Sequence, residues 1–485
     1  MKSKLIEFFL EAFPFLIIFY GSLFFPTDKD LGWHLKYGEY FFRNGTILRD
    51  NIFSKLMADY KWANPSVGVD LISFIIFNNF GFLGLMVLSA LIVTATFFFF
   101  AKAANLNFWD KAFIFPIVFY LEHPINGVSF RGQQLSLLFI SILFFLVQKY
   151  GENKSKKLLL ILPLFILWPN IHGQFIFGLS IFSLWIFSKS IIDFIKTKLD
   201  VFLTLKNNLY YFFLFAFSVL LTLLNPFGIF IYSEPLGHLG DPKLKYVVEW
   251  LPFDPQTTLW WNNMIIFVVV TSLLTYLYLS KKLLEYFFPS ITISLLLIMS
   301  FQIRRYAWSA YYFLIPILKT ITDLIRSTST KVNYIYAFFI LVIFSLQILI
   351  YKNPLNFFNN LTWDRYCMDS GCSSKALEYV LTNKLTDNLF TIYDWGGFII
   401  WNFPQIKPTI DGRMHLWTDK SGYSGFEDYY GYEQNNKDIN ESKYDVALVS
   451  PEKNIYNRLT KLTDERKWRL AYKDKFAAVF VRIKR

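Results

Sequence analysis

The sequence predicts an α-helical polytopic membrane protein with about eleven spans, followed by a small C-terminal α/β domain outside the membrane. Of the 485 residues, 54% are hydrophobic and only 17% are charged. The mean hydropathy of +0.36 lies above that of ordinary soluble proteins. The apolar residues also form long runs, and a helix needs ~20 of them to cross the ~30 Å hydrocarbon core of a bilayer.

The apolar segments follow one another along the first 351 residues. The first run follows basic residues and lacks a small-residue cleavage site, so we interpret it as a retained span rather than a signal peptide. Short or Pro-interrupted segments are tolerated where the backbone lines a cavity. The segments cover residues 5–25, 80–101, 112–122, 135–148, 158–169, 173–192, 209–224, 263–280, 283–300, 308–325 and 333–351.

The distribution of Lys and Arg predicts the orientation. If the N-terminal "MKSK" is cytoplasmic, the loops on its side of the membrane are rich in Lys and Arg. The loops on the other side, including 26–79 and 225–262, are longer and hold most of the Asp, Glu and His. This pattern predicts an odd number of spans in the cell (inner or plasma) membrane, with a cytoplasmic N-terminus and an extracytoplasmic tail.

Two domains are predicted. Residues 1–351 form the membrane core, with a large first outer loop at about 26–79, and residues 352–485 form the extracytoplasmic domain. In this tail, strand-like runs alternate with helical runs. The predicted strands are "NLFTIYDW", "KPTIDG", "YDVALVS" and "FAAVFVRI", and the predicted helices are "SSKALEYVLTNKL" and "KNIYNRLTKLTDERK". Cys367 and Cys372 form either a local disulfide or a free buried pair, and the sequence leaves both open.

The composition and motifs disfavour several classes of protein. The net charge of +12 belongs to cytoplasmic loops and not to a nucleic-acid-binding surface, because basic patches interleaved with stacking aromatic residues are missing from the sequence. A P-loop and a dinucleotide fingerprint are also missing, which disfavours ATP-driven transport and nicotinamide chemistry. No residue spacing matches a metal signature, so a divalent cation held by Asp30 and a second outer acid is only left open.

The predicted outer loops share a set of polar and charged residues that could form one pocket. An outer carboxylate can accept the proton of an acceptor hydroxyl. A pair of arginines can hold a phosphate and stabilise its charge as it leaves. Together these groups would transfer a sugar from a lipid-linked phosphate donor. The candidate residues are Asp28, Asp30, His34, Arg131, Asn170, His172, Glu234, His238, Arg304 and Arg305.

Each candidate also has a structural interpretation. Asp28 or Asp30 could cap the helix that begins at "LGWHL". Arg304 and Arg305 could be interfacial anchors whose guanidinium groups reach the headgroups. His34 could satisfy a local hydrogen bond, and His172 beside Asn170 could fix a loop.

These residues resemble a family. The stretch "DKDLGWHLKYGEYFFRNGTILRDNIFS" resembles the first outer loop of bacterial multi-spanning glycosyltransferases of the C-type superfamily, which has an acidic motif, then W-H-L-x-x-G and D-x-F-S. The stretches "LWPNIHGQF", "LNPFG" and "VVEW" are similar to later outer loops of that family. The tail's "YDWGGFIIWNFPQIKPTIDGR" is similar to its D-W-G-G-Y-L and I-D-G-R patterns.

The resemblance implies a glycosyltransferase that uses a polyprenyl-phosphate sugar as donor and a lipid, glycan or protein as acceptor. The essential acid of the family's first outer loop maps onto Asp30 or Asp28, and we prefer Asp30 because it directly precedes the helix-like segment. Arg304 and Arg305 would hold the donor phosphate. The remaining candidates would line the groove for the acceptor or the donor.

Two other functions are compatible with the same residues. A transporter or flippase of lipid-linked glycans would bind the phosphate without breaking the sugar bond. A non-catalytic envelope assembly protein would use its tail to bind a partner, and its outer acids would not converge.

Overall fold

The structure is a computed structural model that describes residues 2–328, 330–351 and 360–483. It is mostly helical, with a small sheet near the C-terminus. The chain forms two compact units, each built from separate stretches. The first unit contains Met1–Phe24, Met86–Pro235 and Val247–Asn359, and the second contains Phe25–Leu85, Leu236–Tyr246 and Asn360–Arg485.

The helices are, in chain order, α1 Lys2–Gly21, α2 Leu31–Asn44, α3 Val67–Ala103, α4 Phe108–Leu121, α5 His123–Asn126, α6 Gly132–Tyr150, α7 Ile161–Ile171, α8 Phe175–Lys196, α9 Val201–Leu221, α10 Ser233–Gly237, α11 Thr258–Leu279, α12 Phe287–Ser300, α13 Arg305–Thr328, α14 Thr330–Tyr351, α15 Trp363–Asp369, α16 Ser374–Thr382, α17 Gly396–Asn402, α18 Gly425–Glu433 and α19 Asn454–Asp464. The strands are β1 Leu389–Thr391, β2 Val446–Val449, β3 Trp468–Lys473 and β4 Ala478–Arg482.

Every apolar segment predicted from the sequence falls largely within helical structure. Among the described residues, four helices are long and apolar enough to cross a membrane, namely α3, α6, α8 and α11. Three shorter apolar helical stretches cover Phe9–Gly21, Phe287–Ser300 and Phe338–Ile350. The helical membrane character is therefore supported, whereas the number of eleven crossings stays a prediction.

Helix α3 is broken at Gly81, where φ is +59° and the backbone is not helical. Glycine tolerates this left-handed conformation because it has no Cβ. The break separates residues 67–80 from the apolar residues 82–103. It lies close to the predicted end of the first outer loop at residue 79.

Aromatic packing fills the core of the first unit. The rings of Phe100 and Tyr312 stack with centroids 5.6 Å apart, and Phe97, Phe144 and Phe313 surround them. Many other large apolar side chains on these helices are exposed, including Phe202, Phe213, Leu220, Leu279, Phe338 and Phe339. Large exposed apolar surfaces mark contacts with lipid or with other proteins.

The second unit contains a four-stranded sheet in the order β1-β2-β4-β3. Strands β1 and β2 are parallel, and the other neighbours are antiparallel. This confirms the small α/β fold predicted for the tail. The stretch predicted as the first outer loop, within Phe25–Leu85, belongs to the same compact unit. The predicted domain boundary lies between residues 351 and 352, and residues 352–359 lie outside the described part of the chain.

Two details of the tail differ from the sequence prediction. Strand β3 was not predicted, and the predicted strand "KPTIDG" is irregular. The backbone N–H of its Thr409 donates to the hydroxyl of Thr391 in β1, and the backbone N–H of Thr391 donates to the hydroxyl of Thr409. Both hydrogen bonds are 2.8 Å long. Its backbone carbonyls at Pro408 and Thr409 instead accept hydrogen bonds from the N–H groups of Lys55 and Leu56. The segment therefore binds the first outer loop and does not extend the sheet.

Candidate functional site

The second unit holds Asp30 at the start of α2. Asp30 is the N-cap residue of this helix, but its side chain makes no capping hydrogen bond to the backbone. Its Oδ1 instead accepts a hydrogen bond of 2.9 Å from the indole Nε1–H of Trp33. The carboxylate lies against Gly412 of the "IDGR" stretch, where any Cβ would overlap it. Asp30 is half-buried, so the carboxylate is fixed in place but keeps contact with solvent.

Asp28 has a different setting, because its side chain is largely buried. One carboxylate oxygen, Oδ1, lies 3.3 Å from the backbone N–H of Asp30 and accepts its hydrogen bond. The backbone carbonyl of Asp28 accepts a hydrogen bond from the Tyr366 hydroxyl. Asp28 therefore shapes the turn before α2, as Asp side chains do when they bond to the backbone two residues later.

A buried carboxylate holds the ring of His34. The His34 Nδ1 lies 2.5 Å from Asp70 Oδ1, and Asp70 Oδ2 accepts a 2.6 Å hydrogen bond from the Asn64 side chain. The local hydrogen bond considered for His34 thus exists. Asp70 was not among the sequence candidates, although it ends the stretch "KWANPSVGVD", which is similar to a Trp-containing stretch of the same family.

A buried ion pair joins the first outer loop to the "IDGR" stretch. The Arg413 guanidinium donates to both oxygens of Asp411 at 2.6 Å and to the Tyr37 hydroxyl at 2.5 Å. It also lies 3.0 Å from Asn51 Oδ1, while the Ser54 hydroxyl donates to Asp411. Burial alone would raise the pKa of Asp411, but the charge of Arg413 holds it below its ordinary value. The pair thus links Tyr37 and Asn51 to the "IDGR" stretch.

Two histidines meet in the second unit. The Nε2 atoms of His238 and His415 are 2.9 Å apart, and His415 Nδ1 lies 3.0 Å from the carbonyl oxygen of Gly412. Neutral imidazole nitrogens are ligands for zinc, copper, iron and nickel. This pair could therefore hold a metal. His238 was a sequence candidate, whereas His415 was not.

In the first unit, two arginines converge on Glu249. Arg131 Nη1 lies 2.8 Å and Arg305 Nη1 lies 3.5 Å from its carboxylate, to which the Gln133 amide also donates at 2.9 Å. Burial disfavours the charged form of Glu249, but Arg131 and Arg305 lower its pKa to about 2. The cluster keeps one surplus positive charge. Glu249 was visible in "VVEW" but was not among the sequence candidates.

Arg304 and Arg305 do not act as a matched pair. Arg304 donates to the backbone carbonyls of Pro252 at 2.6 Å and Leu251 at 3.2 Å, so it holds the loop that follows Trp250. Arg305 lies over the Trp250 ring, 5.3 Å from its centroid, and reaches Glu249. The neighbour of Arg305 in the charge cluster is therefore Arg131.

Two further candidates, Asn170 and His172, have local contacts in the first unit. His172 Nδ1 lies 2.8 Å from the Ser136 hydroxyl, and a Cβ at Gly132 would come within 2.5 Å of the His172 ring. The Asn170 amide donates to the backbone carbonyls of Ile166 and Leu224. These contacts fit the loop-fixing interpretation of Asn170 and His172. Glu234 lies in the short helix α10.

No family model matches the chain, and no curated protein is significantly similar to it.

Proposed function

We propose that the protein is a membrane glycosyltransferase that moves a sugar from a polyprenyl-phosphate donor to an acceptor on the outer face of the membrane. The observation that carries the proposal is the setting of Asp30. Its half-buried carboxylate is held by Trp33 and Gly412, on a helix whose sequence resembles that of such enzymes.

In the proposed reaction, Asp30 accepts the proton of the acceptor hydroxyl. The acceptor oxygen then forms a bond to the anomeric carbon of the sugar. The bond between that carbon and the phosphate oxygen breaks, and the polyprenyl phosphate leaves with the electron pair. The donor is already activated, so this step needs no ATP.

The arginines of the first unit would bind the phosphate. Arg131 and Arg305 already coordinate the two oxygens of one carboxylate, and guanidinium groups bind phosphate oxygens in the same way. The surplus positive charge favours an anionic ligand. Arg304, which was expected to share this role, donates hydrogen bonds to the backbone carbonyls of Leu251 and Pro252, and its part in phosphate binding stays a prediction. The single pocket expected from the sequence stays a prediction.

The location is part of the proposal. We place the protein in the cell membrane, with eleven spans, a cytoplasmic N-terminus and an extracytoplasmic tail. Support comes from the apolar helices and from the disulfide between Cys367 and Cys372 in the tail. Disulfides persist mainly in oxidising compartments, outside the cytosol.

The test is an assay of the purified protein with labelled polyprenyl-phosphate sugars. Asp30→Asn keeps the size of the side chain but removes the base, so turnover should fall by roughly 100-fold or more. Asp464→Asn, at an exposed position on α19, should keep full activity as the matched control. Undiminished turnover by Asp30→Asn would remove Asp30 from this role. Binding of the labelled lipid without any transfer would favour the transporter.

A further inference from the structure

We propose that His238 and His415 form a binding site for a divalent transition metal ion such as Zn²⁺ in the second unit. The inference concerns a site apart from the proposed proton acceptor, and it does not depend on glycosyl transfer.

The hydrogen bond at the other ring nitrogen of His415 sets its tautomer. A carbonyl oxygen only accepts hydrogen bonds, so the Nδ1 atom that lies 3.0 Å from the Gly412 oxygen carries the hydrogen. In the neutral ring, Nε2 then presents a lone pair toward His238. Metal-binding histidines commonly have this arrangement, in which the second nitrogen donates to a carbonyl or carboxylate.

The separation of the two rings suits a shared ion. Zinc binds imidazole nitrogens at ~2.0–2.1 Å, so two nitrogens of a tetrahedral site are roughly 3.3 Å apart. The two Nε2 atoms are 2.9 Å apart, and the rings would need to separate by only a few tenths of an ångström. Both side chains are half-buried, which leaves room for water to complete the coordination.

The donor types indicate which class of ion binds. Imidazole nitrogen favours zinc, copper or nickel, whereas calcium and magnesium prefer oxygen ligands.

Within the second unit, the ion would join two stretches that are distant in the sequence. The segment Leu236–Tyr246 already contacts the tail, where Lys243 Nζ donates to the Thr418 hydroxyl at 3.0 Å and Tyr246 stacks on Tyr430. A metal bridge between His238 and His415 would strengthen this contact. It would also restrain Gly412, against which the Asp30 carboxylate packs.

The test is metal binding by the purified full-length protein after chelator treatment. Calorimetric titration with Zn²⁺ should show one binding site per chain. After titration with Co²⁺, the protein should show a visible absorption band typical of Co²⁺ bound by nitrogen ligands. His238→Gln and His415→Gln should each weaken binding by roughly 10-fold or more. The matched control is His123→Gln, which replaces an exposed histidine of the first unit and should bind normally.

Lower pH should weaken binding, because protons compete with the metal ion for the imidazole nitrogens. Absence of stoichiometric Zn²⁺ binding by the wild-type protein would overturn the proposal, and so would unchanged binding by a variant that carries both His238→Gln and His415→Gln. Either result would identify the two rings as a hydrogen-bonded pair only. The titration of the wild-type protein tests the proposal by itself, so the test still works if a variant does not fold. Both results leave the glycosyl-transfer assay unaffected.

Discussion

At the scale of single residues, Glu249 shows how one carboxylate can organise two cations. Arg131, Arg305 and Glu249 come from three separate parts of the sequence, and all three side chains are mostly buried. Removing one partner from such a group leaves a buried charge without its counter-charge. The resulting loss of stability usually exceeds the net stabilisation that the ion pair provides.

We therefore expect Glu249→Gln to destabilise the protein by roughly 2 kcal/mol at pH 7, because two guanidinium groups would face each other without a counter-charge. The folded-state pKa of about 2 lies below the ordinary value of 4.5, so the stabilisation is present above pH 4.5. It is lost as the pH falls toward 2.

The measurement is the thermal unfolding midpoint of the wild type and Glu249→Gln between pH 7 and pH 3. The difference should be largest at pH 7 and should shrink below about pH 4.5. Glu152→Gln, at an exposed position, is the control and should leave the midpoint unchanged. A difference that does not vary with pH would contradict the assigned charge state.

The sequence showed which loops gather polar and charged residues, but it did not predict which partners their side chains would contact. Asp28 and Asp30 stand two residues apart, yet the Asp28 side chain accepts a hydrogen bond from a backbone N–H, whereas the Asp30 side chain accepts one from the Trp33 indole. Arg304 and Arg305 likewise separate at the start of α13. Neighbouring side chains leave a helix terminus in different directions, and a motif does not encode which tertiary partner each one meets.

At the scale of elements, helices α2 and α17 cross at two glycines. A Cβ at Gly32 would overlap the carbonyl oxygen of Gly397, and a Cβ at Gly397 would overlap that of Lys29. The two backbones therefore touch. This gives a structural reason for the glycines in "LGWHL" and "DWGGF", which the sequence analysis identified only by resemblance.

We expect Gly32→Ala and Gly397→Ala to destabilise the second unit by roughly 1–3 kcal/mol each, because the helices must move apart to admit a methyl group. Thermal unfolding of the purified protein measures the effect. Gly237→Ala is the matched control, since its Cβ would meet only the Leu416 side chain at 3.4 Å. Midpoints for all three variants equal to that of the wild type would show that the contact is looser than described.

Sequence patterns predicted helices better than strands. The apolar segments are long, and each one coincides with helical structure. The strands are short, and β3 has an exposed face with the charged residues Arg469 and Lys473, so it lacks a strong signal. The "KPTIDG" stretch reads as a strand, but Pro408 has no N–H to donate and its carbonyl is used by Lys55.

At the scale of the whole molecule, labelling of introduced cysteines can test the predicted orientation in the membrane. Its two cysteines are bonded to each other, so an introduced cysteine provides the reactive thiol. We expect Asp464→Cys to react with a membrane-impermeant maleimide in intact spheroplasts. Lys154→Cys, in a loop predicted to be cytoplasmic, should react only after lysis. Labelling of both positions from the same side would contradict the orientation.

The division of the second unit between distant parts of the chain affects how the protein is made. The Phe25–Leu85 stretch leaves the ribosome early, and roughly 270 residues follow before Asn360. At 5–20 residues per second, this delay is on the order of 15–50 s. During that time Tyr37 lacks Arg413 and Trp62 lacks Trp417, which contact them in the finished protein. The nascent loop thus exposes aromatic surface that a chaperone can bind, and a message truncated before residue 360 yields a product that quality-control proteases should remove.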